Sequence, residues 1–265
     1  MHRFLFNPRW LGLLAFVLVF GAVCFQLGMW QFHRLQDRFD RNDVISAHLA
    51  ADPVDLDVAA PPGTTIDEST EWTRVTLRGS YDPDRAASVK FTQRDSAPGV
   101  DVVVPLRLDD GTAILVDRGW MQTLNSNDRP DLPAPPDGEV TVQGWLRQDN
   151  NAGGDAVRVF DGQVRAIDST GFAESVPYDL RDGYVNAQEE SPAPATELAP
   201  EPEPELGQGV HFFYALQWWF FGLLGLVGYV WFAVQEARDR RRRSLSTAAA
   251  PAPDEPASAQ DHART

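Results

Sequence analysis

Histidine and cysteine are the residue types best suited to metal binding or redox chemistry, and this chain has five histidines and a single cysteine. His33, His48 and His211 each lack a second histidine or cysteine three or four residues away, the spacing that places two ligands on one helix face. Cys24 lies in an apolar stretch without a thiol partner. These spacings argue against a zinc site, thiol–disulfide exchange and cysteine-based copper binding.

Carboxylates and glycine-rich motifs give no stronger indication of catalysis. Asp52, Asp55 and Asp57 are closely spaced, but the segment lacks the glycine turn and terminal glutamate of a calcium loop, so we predict a solvated linker. The sequence contains no phosphate-binding loop, dinucleotide-binding fingerprint or nucleophile elbow. We therefore predict no enzymatic activity, no catalytic residue and no resident metal.

His211 is the histidine whose neighbours suggest a cofactor. Five aromatic residues follow it closely: Phe212, Phe213, Tyr214, Trp218 and Trp219. An imidazole in such a cluster can ligate haem iron while the rings cover the macrocycle. Aromatic residues and histidine are also common at membrane interfaces because they are amphipathic, so both interpretations stay open at this point.

Two apolar segments flank the central part of the chain. Residues 10–29 and 212–234 contain no charge, and about 20 such residues suffice to cross a bilayer. We predict transmembrane helices over residues 10–30 and 210–234, the first prolonged by mixed-charge residues to about Leu49. A cleaved signal peptide ending near Cys24 is the alternative for the first segment, but its apolar run continues to Met29.

The charges that flank these segments predict the orientation of the chain. Three glutamates precede the second segment, whereas Arg238 and residues 240–243, all arginine, follow it. Because basic residues near a membrane tend to stay cytoplasmic, both termini should be cytoplasmic, with the central domain extracytoplasmic. The cytoplasmic ends are then residues 1–9 and a basic, afterwards disordered tail over residues 235–265.

Residues at alternating four- and three-residue steps form stripes that predict how the two helices pack, because the small side chains within them let helices approach closely. The second helix carries one such stripe: His211, Ala215, Trp218, Gly222, Gly225 and Tyr229. A matching stripe in the first helix consists of Gly12, Ala15, Val19, Ala22 and Gln26, with His33 in continuation. We predict that these two faces are in contact.

Between the helices, alternating apolar residues predict β-strands in a domain over residues 31–188. The clearest strands are residues 75–81, 100–108, 114–116 and 140–146, with a tight turn at Asp109-Asp110-Gly111. Weaker candidates are residues 89–92, 157–160, 164–167 and 184–187. The expected fold is a mainly β, small antiparallel barrel or sandwich. Residues 189–209 predict an acidic, proline-rich, extended tether with little order.

Charge is concentrated in the central part of the chain. Residues 31–209 carry 15 basic and 33 acidic residues, a net charge of −18 within a chain of net charge −15. This balance excludes nucleic-acid binding and predicts repulsion from anionic lipid.

Four blocks of sequence resemble, in the same order, the signature blocks of the Surfeit locus protein one family. They are residues 27–31 (LGMWQ) with Arg34; residues 72–82 (WTRVTLRGSYD); residues 99–120, which end in Asp117-Arg118-Gly119-Trp120; and His211 with residues 214–218 (YALQW). One departure from the family pattern is Asp117, which stands where asparagine is usual.

The resemblance implies an assembly factor for haem-copper cytochrome c oxidase that aids insertion of haem a into the catalytic subunit. The implied haem contacts are His211, Tyr214, Trp218, Trp30 and Gln31. Residues implied in partner contact or in structure are Arg34, Arg118, Gly119 and Trp120, with Arg118 in an internal ion pair and Trp120 in the core as the structural interpretation. Haem a synthase is a further implied partner.

A permanent accessory subunit that stabilises the oxidase or its supercomplex is the alternative function. Lys90 is the only lysine beside 22 arginines, which suits a GC-rich genome and favours a bacterial plasma membrane.

Overall fold

The computed structural model describes residues 6–150, 152–207 and 209–248, and their side chains except those of His211 and residues 244–248. The chain divides into two compact units. One is formed by its two ends, Met1–Arg38 and Gln208–Thr265, and the other by Phe39–Gly207. We describe each unit by itself.

Two long helices contain the apolar segments. Helix α1 covers Pro8–Ala50 and helix α4 covers His211–Ala248, and both are long and apolar enough to cross a membrane. The Asn7 side chain accepts a hydrogen bond from the Arg9 backbone N–H at 3.2 Å, and Pro8 occupies the first helical position, where its missing N–H costs nothing. The predicted prolongation of the first helix is confirmed.

Helix α4 is longer than the sequence predicted. It continues through the arginine run at residues 240–243 to Ala248, so the first part of the predicted tail is helical. An ion pair between Glu236 and Arg240, one helical turn apart, supports this extension. Residues 249–265, where we predicted disorder, lie outside the described residues.

The helices α1 and α4 pack antiparallel within their unit. The Trp10 and Tyr229 rings lie 5.8 Å apart, and an ideal Cβ on Gly222 would lie 3.2 Å from the Cys24 Cβ. The Trp219 indole packs so closely on Gly28 that a Cβ at residue 28 would lie 2.1 Å from the indole Nε1. Small residues thus bring the backbones together.

The predicted face of α4 is confirmed, and that of α1 is wrong. In α4, Ala215 and Gly222 are buried, and Trp218, Gly225 and Tyr229 are half-buried. In α1 the predicted residues are all exposed: Gly12, Ala15, Val19, Ala22, Gln26 and His33. The buried face lies two positions further along, at Val17, Cys24, Gly28 and Leu35. Small residues occur on both faces of α1, so their spacing alone does not identify the contact.

The unit formed by Phe39–Gly207 is a mainly β domain. Its strands are β1 (Val54–Asp55), β2 (Arg74–Tyr81), β3 (Ala87–Arg94), β4 (Ala97–Arg107), β5 (Ala113–Gln122), β6 (Glu139–Arg147), β7 (Gln163–Val164) and β8 (Leu180–Ser191). Two short helices, α2 (Leu56–Ala59) and α3 (Ser169–Ala173), accompany them. The Asp168 side chain begins α3 by accepting hydrogen bonds from the backbone N–H groups of Thr170 and Gly171.

The strands form one sheet in the order β1-β2-β6-β8-β5-β4-β3-β7, and β2 also pairs with β4. These pairings link β2, β6, β8, β5 and β4 in a cycle. We predicted an antiparallel sheet, but the pairs β1–β2, β3–β7 and β5–β8 are parallel. The long connection between β5 and β8, which contains β6 and α3, allows the parallel pair, as a tight turn would not.

Most predicted strands are confirmed. The hairpin β4–β5 turns at Gly111, which has a φ of +87° that glycine adopts without strain. Residues 157–160 are not a strand and contribute only an isolated bridge from Phe160 to Gln163, and the candidate at residues 164–167 is reduced to the end of β7. The segment of Asp52, Asp55 and Asp57, which we predicted to be a solvated linker, instead contains a short strand and a short helix, and its Leu56 is buried in the core.

Two apolar clusters lie on opposite faces of the sheet. The larger contains alternate residues of β2, β4, β5, β6 and β8, among them Val102, Val104 and Leu106, as the alternation predicted. The smaller joins Val103 and Leu115 to Phe172 of α3. Because both faces of β4 and β5 are covered, these strands are apolar at nearly every position, and the few polar residues within them require partners.

Candidate functional site

The residues Asp117 to Trp120 of β5 form the candidate site in the β domain. The Arg118 guanidinium donates two hydrogen bonds to Glu190 of β8, at 2.9 Å to Oε1 and 3.0 Å to Oε2. The two side chains are 1% and 7% exposed, so the pair is buried. A bidentate pair in this setting is strong and geometrically specific. The predicted internal ion pair of Arg118 is confirmed.

Tyr81 completes the surroundings of this pair. Its hydroxyl donates a 2.6 Å hydrogen bond to Glu190 Oε1, and its ring centre lies 5.4 Å from the Arg118 Cζ. Burial, together with the negative charge of Glu190, holds the pKa of the Tyr81 hydroxyl well above its usual range. Arg118 also donates to the carbonyl oxygen of Pro133. The charges of the pair are therefore compensated by the Tyr81 hydroxyl, the Tyr81 ring and the Pro133 carbonyl oxygen.

Asp117, the residue before Arg118 in β5, is also buried. Its carboxyl accepts hydrogen bonds from the Gly119 backbone N–H at 3.1 Å and from the Asn186 side chain at 2.9 Å. Burial raises the pKa of this carboxyl well above its usual range, and the negative charge of Asp101 raises it further. Proton uptake at Asp117 is therefore favoured in the folded domain.

The contacts of Asp117 continue through polar side chains toward helix α1. Asn186 accepts a hydrogen bond from Arg147, which pairs with Glu71 at 3.0 Å and lies 4.0 Å from the centre of the Trp72 ring. His48 of α1 contacts the Glu71 backbone oxygen through Nδ1 at 2.8 Å. The buried part of β5 is thus connected to the end of α1 that belongs to the same unit.

Gly119 allows a neighbouring segment to lie directly on β5. Its φ is +126°, and a Cβ there would lie 2.6 Å from the carbonyl oxygen of Ala199. The register between β4 and β5 shifts at this point, since Asp101 pairs with Trp120 but Val103 pairs with Asp117. A side chain at residue 119 would therefore be strained and would also displace residue 199.

Trp120 binds that neighbouring segment. Its backbone N–H and C=O exchange hydrogen bonds with Ala199 at 2.8 and 2.9 Å. The indole packs so closely on Gly99 that a Cβ there would lie 2.2 Å from it. The ring is half-buried rather than in the core, which corrects the structural interpretation. Its buried Nε1 has no hydrogen-bond partner among the described residues.

Arg94 holds the same segment through its charge. Its guanidinium donates to the backbone oxygens of Ala199 and Pro200 and pairs with Asp101 at 3.2 Å and Glu201 at 2.9 Å. Burial and the nearby Glu201 raise the pKa of the Asp101 carboxyl to about 6, although Arg94 lowers it. Asp101, Glu201 and Arg94 form one charged cluster at the edge of the site.

The predicted tether is therefore bound to the sheet along part of its length. Residues 189–191 belong to β8, and residues 199–201 contact β5 and Arg94. Further along, the Leu206 backbone oxygen accepts a hydrogen bond from Asn42 of α1 at 2.9 Å. We predicted an extended tether with little order, but these contacts give the segment a defined path. Gln208 lies outside the described residues.

A groove of about 510 Å³ opens beside Arg118, between the end of β8 and this segment. Its lining includes Glu189, Glu190 and Glu197; Glu190 neutralises Arg118, so Glu189 and Glu197 make the groove acidic. An acidic groove of this kind fits a basic or hydrogen-bond-donating side chain of a partner.

The second set of predicted site residues belongs to the helical unit. Trp30 and Tyr214 are 53% and 46% exposed, Gln31 is half-buried and Arg34 is exposed. Trp218 is half-buried, with its ring edge-on to Phe221. Among the described side chains, no ring contact joins Trp30 with Tyr214 or Trp218. His211 is the first residue of α4, and its side chain lies outside the described residues.

Several residues of both sets were missed by sequence reasoning. Glu190 was missed because the register of β6 and β8 shifts between Gln143 and Gly144, which turns Glu190 rather than Glu189 inward. The contact of Arg94 with Ala199 was missed because the two residues are 105 positions apart in the chain. The sequence analysis placed Trp219 only in the aromatic cluster. The helical spacing of small residues in α1 could have predicted that an aromatic ring packs on Gly28.

The fold and site define a class of protein: a mainly β domain that lies, in sequence, between two apolar helices and contains a buried arginine–glutamate pair that joins β5 to β8. The sequence pattern of the SURF1 family matches residues 18–223, and the chain belongs to this family.

Two relatives show how far the similarity extends. An uncharacterised SURF1-like protein of Mycobacterium bovis is 31% identical over 257 residues, which cover 96% of this chain and 93% of the relative. Surfeit locus protein 1 of Takifugu rubripes is 28% identical over 148 residues, 50% of this chain and 60% of the relative. The resemblance identified from the four sequence blocks is confirmed.

Proposed function

We propose that this chain is an assembly factor for haem-copper cytochrome c oxidase, the role for which its family is known. The observation that carries the proposal is the family match over residues 18–223, which includes both helices in part and the whole β domain. The proposed role is non-enzymatic: the chain binds assembly partners, the oxidase catalytic subunit and haem a synthase, and releases them unchanged.

We further propose that the helical unit aids insertion of haem a. The exposed rings of Trp30, Phe213 and Tyr214 offer an apolar surface that fits a macrocycle. When bound, haem a would supply a redox-active iron, and His211 is the residue proposed to hold it, on the strength of the family resemblance. Gln31 would provide a polar contact beside Trp30, and Trp218 would support the aromatic surface.

The proposed location follows from charge and hydropathy. Two helices are apolar enough to span a membrane, and residues 240–243 follow the second apolar run. We propose insertion into a bacterial plasma membrane with both termini cytoplasmic and the β domain extracytoplasmic. In this location the cycle of strand pairings would act as a small closed barrel that presents the site of Arg118 and Trp120 to a partner.

The haem proposal is tested by absorption spectra of the purified full-length protein titrated with haem a. We expect the wild-type protein to shift the Soret band and the His211→Ala variant to lose the shift. His33→Ala is the matched control, because His33 is an exposed histidine of α1. An unchanged spectrum in His211→Ala would remove the proposed ligand.

The assembly role is tested separately in cells that lack the gene. We expect a lower content of mature oxidase and restoration by the wild-type gene. Purified mature oxidase that contains the chain in stoichiometric amounts would instead favour the alternative function, a permanent accessory subunit. Normal oxidase content without the gene would contradict both functions.

A further inference from the structure

A surface at the β3–β7 edge of the sheet has a chemistry unlike the rest of the domain. We call it the basic–aromatic surface and define it by Lys90, Phe91, Phe160 and Arg165. It belongs to the part of the chain, residues 31–209, whose net charge is −18, yet it presents two cations and two large exposed rings. Exposed apolar groups clustered with charge are typical of binding surfaces.

The backbone of β3 is distorted in a way that exposes Phe91. The register of β3 and β4 shifts between Val89 and Thr92, and Phe91 lies at a φ of +71°, which is rare for a residue with a side chain. Its backbone N–H donates a 2.7 Å hydrogen bond to the Ser126 carbonyl, which holds this conformation. The ring remains 55% exposed. Strain that exposes an aromatic ring is a cost to folding, so a role in binding is the better explanation.

Two cations flank this ring without being neutralised. The Lys90 Nζ lies 5.4 Å and the Arg165 Cζ 5.9 Å from the ring centre. Within the described part of the chain, neither side chain has a carboxylate close enough for an ion pair. By contrast, Arg158 nearby pairs with Glu174 at 3.2 Å. The charges of Lys90 and Arg165 are thus available to an external anion.

A concave space adjoins these residues. A groove of about 380 Å³ is lined by Lys90, Phe160 and Arg165, together with Asp155, Arg158, Gln163 and Val164. Phe160 is 75% exposed. The groove therefore combines an apolar contact with the unpaired cations Lys90 and Arg165, while its carboxylate, Asp155, lies 3.8 Å from the Arg158 guanidinium.

We propose that the basic–aromatic surface binds an acidic polypeptide segment of a partner protein. Carboxylates of that segment would pair with Lys90 and Arg165, and an apolar side chain would enter the groove against Phe160, with the exposed ring of Phe91 as a second apolar contact. The proposal concerns a surface separate from the haem contacts and from the site of Arg118, and it does not depend on the proposed oxidase role.

Charge and shape favour a protein segment over an anionic bilayer. A bilayer is broad, so it would face the acidic groups of the domain as well as the two cations, and their net charge of −18 would repel it. A narrow segment interacts mainly with charges within one screening length, about 8 Å at physiological salt. The concave groove also matches a protruding chain better than a plane.

The proposal is tested with a defined probe, a fluorescent synthetic peptide of alternating glutamate and phenylalanine, and a matched neutral peptide with glutamine in place of glutamate. The full-length protein is held in nanodiscs of neutral lipid, and binding is followed by fluorescence anisotropy. We expect the acidic peptide to bind at least about tenfold more tightly than the neutral one. Equal affinities would overturn the proposal.

Variants locate the binding to the surface. Lys90→Glu/Arg165→Glu should weaken the acidic peptide by about tenfold or more, and Phe91→Ala should weaken it without changing its charge dependence. Arg78→Glu/Arg107→Glu, at two exposed arginines of β2 and β4, is the matched control and should leave affinity unchanged. Lys90→Gln/Arg165→Gln removes the cations without adding negative charge and should also weaken binding. Wild-type affinity in both double variants of the surface would contradict the proposal.

A bilayer is examined as the competing occupant. Leu124 is 90% exposed and lies two residues before Ser126, and the natural Cys24 is buried, so a Leu124→Cys variant can be labelled selectively with bimane. In nanodiscs with phosphatidylglycerol we expect no quenching by spin-labelled lipid and protection of the label by the acidic peptide. Strong quenching by lipid would identify the bilayer as the occupant and overturn the proposal.

Discussion

The Arg118–Glu190 pair is a buried ion pair of the β domain, with side chains 1% and 7% exposed. Both charges are removed from water, and their mutual attraction and the hydrogen bonds from Tyr81 and to Pro133 offset that cost. A pair of this kind is stable only when complete, because one partner alone is a buried, uncompensated charge. The segment Asp117 to Trp120 therefore has a structural role.

Replacing Arg118 by methionine should destabilise the protein by about 3–5 kcal/mol, because Glu190 is left buried and unpaired. The double variant Arg118→Met/Glu190→Gln should recover most of this loss, since the glutamine still accepts the hydrogen bond from Tyr81. Chemical unfolding of the full-length protein in detergent, followed by fluorescence, measures both. A double variant as unstable as Arg118→Met would show that the cost arises elsewhere.

The buried carboxyl of Asp101 makes stability depend on pH. Its pKa of about 6 in the folded chain exceeds the value of about 3.9 for an unfolded aspartate. Between about pH 4 and about pH 6 the folded chain therefore binds more protons than the unfolded chain. The contribution of Asp101 to the free energy of unfolding is highest below this window and falls as pH rises through it.

We expect Asp101→Asn to remove that part of the fall. The measurement is the difference in free energy of unfolding between wild type and variant from pH 4 to pH 7, which cancels the contributions of other groups. The variant should gain stability relative to wild type as pH rises. Asp117→Asn should act in the same direction, because burial also raises the pKa of Asp117. A difference that is constant with pH would contradict the role of Asp101.

At the scale of elements, small departures from regular geometry position the site. Register shifts in β4–β5 and β6–β8 place Gly119 under Ala199 and turn Glu190 toward Arg118. In the helical unit, Gly28 and Gly222 let α1 and α4 approach closely. These close approaches depend on glycine, because a Cβ at Gly119, Gly28 or Gly222 would contact the neighbouring segment or helix.

The packing face of α1 can be tested with the natural Cys24 as a reporter. In a Gly222→Cys variant the two Cβ atoms would lie about 3.2 Å apart, near the range for a disulfide, so mild oxidation should crosslink α1 to α4. Adding Gly28→Val should lower the crosslinking yield, because its Cβ meets the Trp219 indole. The matched change Gly12→Val should leave the yield unchanged, since nothing lies within 4 Å of that Cβ. If Gly12→Val added to Gly222→Cys abolished the crosslink, the packing face would instead be the one predicted from the sequence.

At the scale of the whole molecule, the β domain has the features of an independently folding unit. Both apolar clusters lie entirely within Phe39–Gly207. The segment after β8 belongs to the same unit through Ala199, Glu201 and Leu206. The acidic segment between the domain and α4 is therefore part of the fold up to that point.

Residues 39–207 expressed alone should form a soluble domain that unfolds cooperatively. A shorter version ending at residue 191 should lose about 1–3 kcal/mol, because the two hydrogen bonds between Trp120 and Ala199 and the ion pair of Arg94 with Glu201 are missing. Thermal unfolding followed by circular dichroism compares the two. Equal stability would show that the segment is only a connector.

Patterns of short range were sufficient to predict much of this molecule. The two apolar helices, the strands β2, β4, β5, β6 and the hairpin turn at Gly111 follow from uncharged length, alternation and turn chemistry. The residues of the family blocks, including Arg118 and Gly119, were also identified. The strand predicted at residues 157–160 was wrong, and the one at residues 164–167 was right only at Val164. Two or three alternating apolar residues also occur in loops.

The sequence by itself determined the elements and the charge of this protein, because hydrogen bonding and burial within one helix or strand depend on residues only a few positions apart. The tertiary structure decided which face of α1 is buried, which strands are parallel neighbours, that Glu190 compensates Arg118, and that Ala199 covers Gly119. These contacts join residues far apart in the chain, and a one-residue bulge or a two-residue change of helix face reverses which side chains point inward. Spacing alone carries no signal for either event.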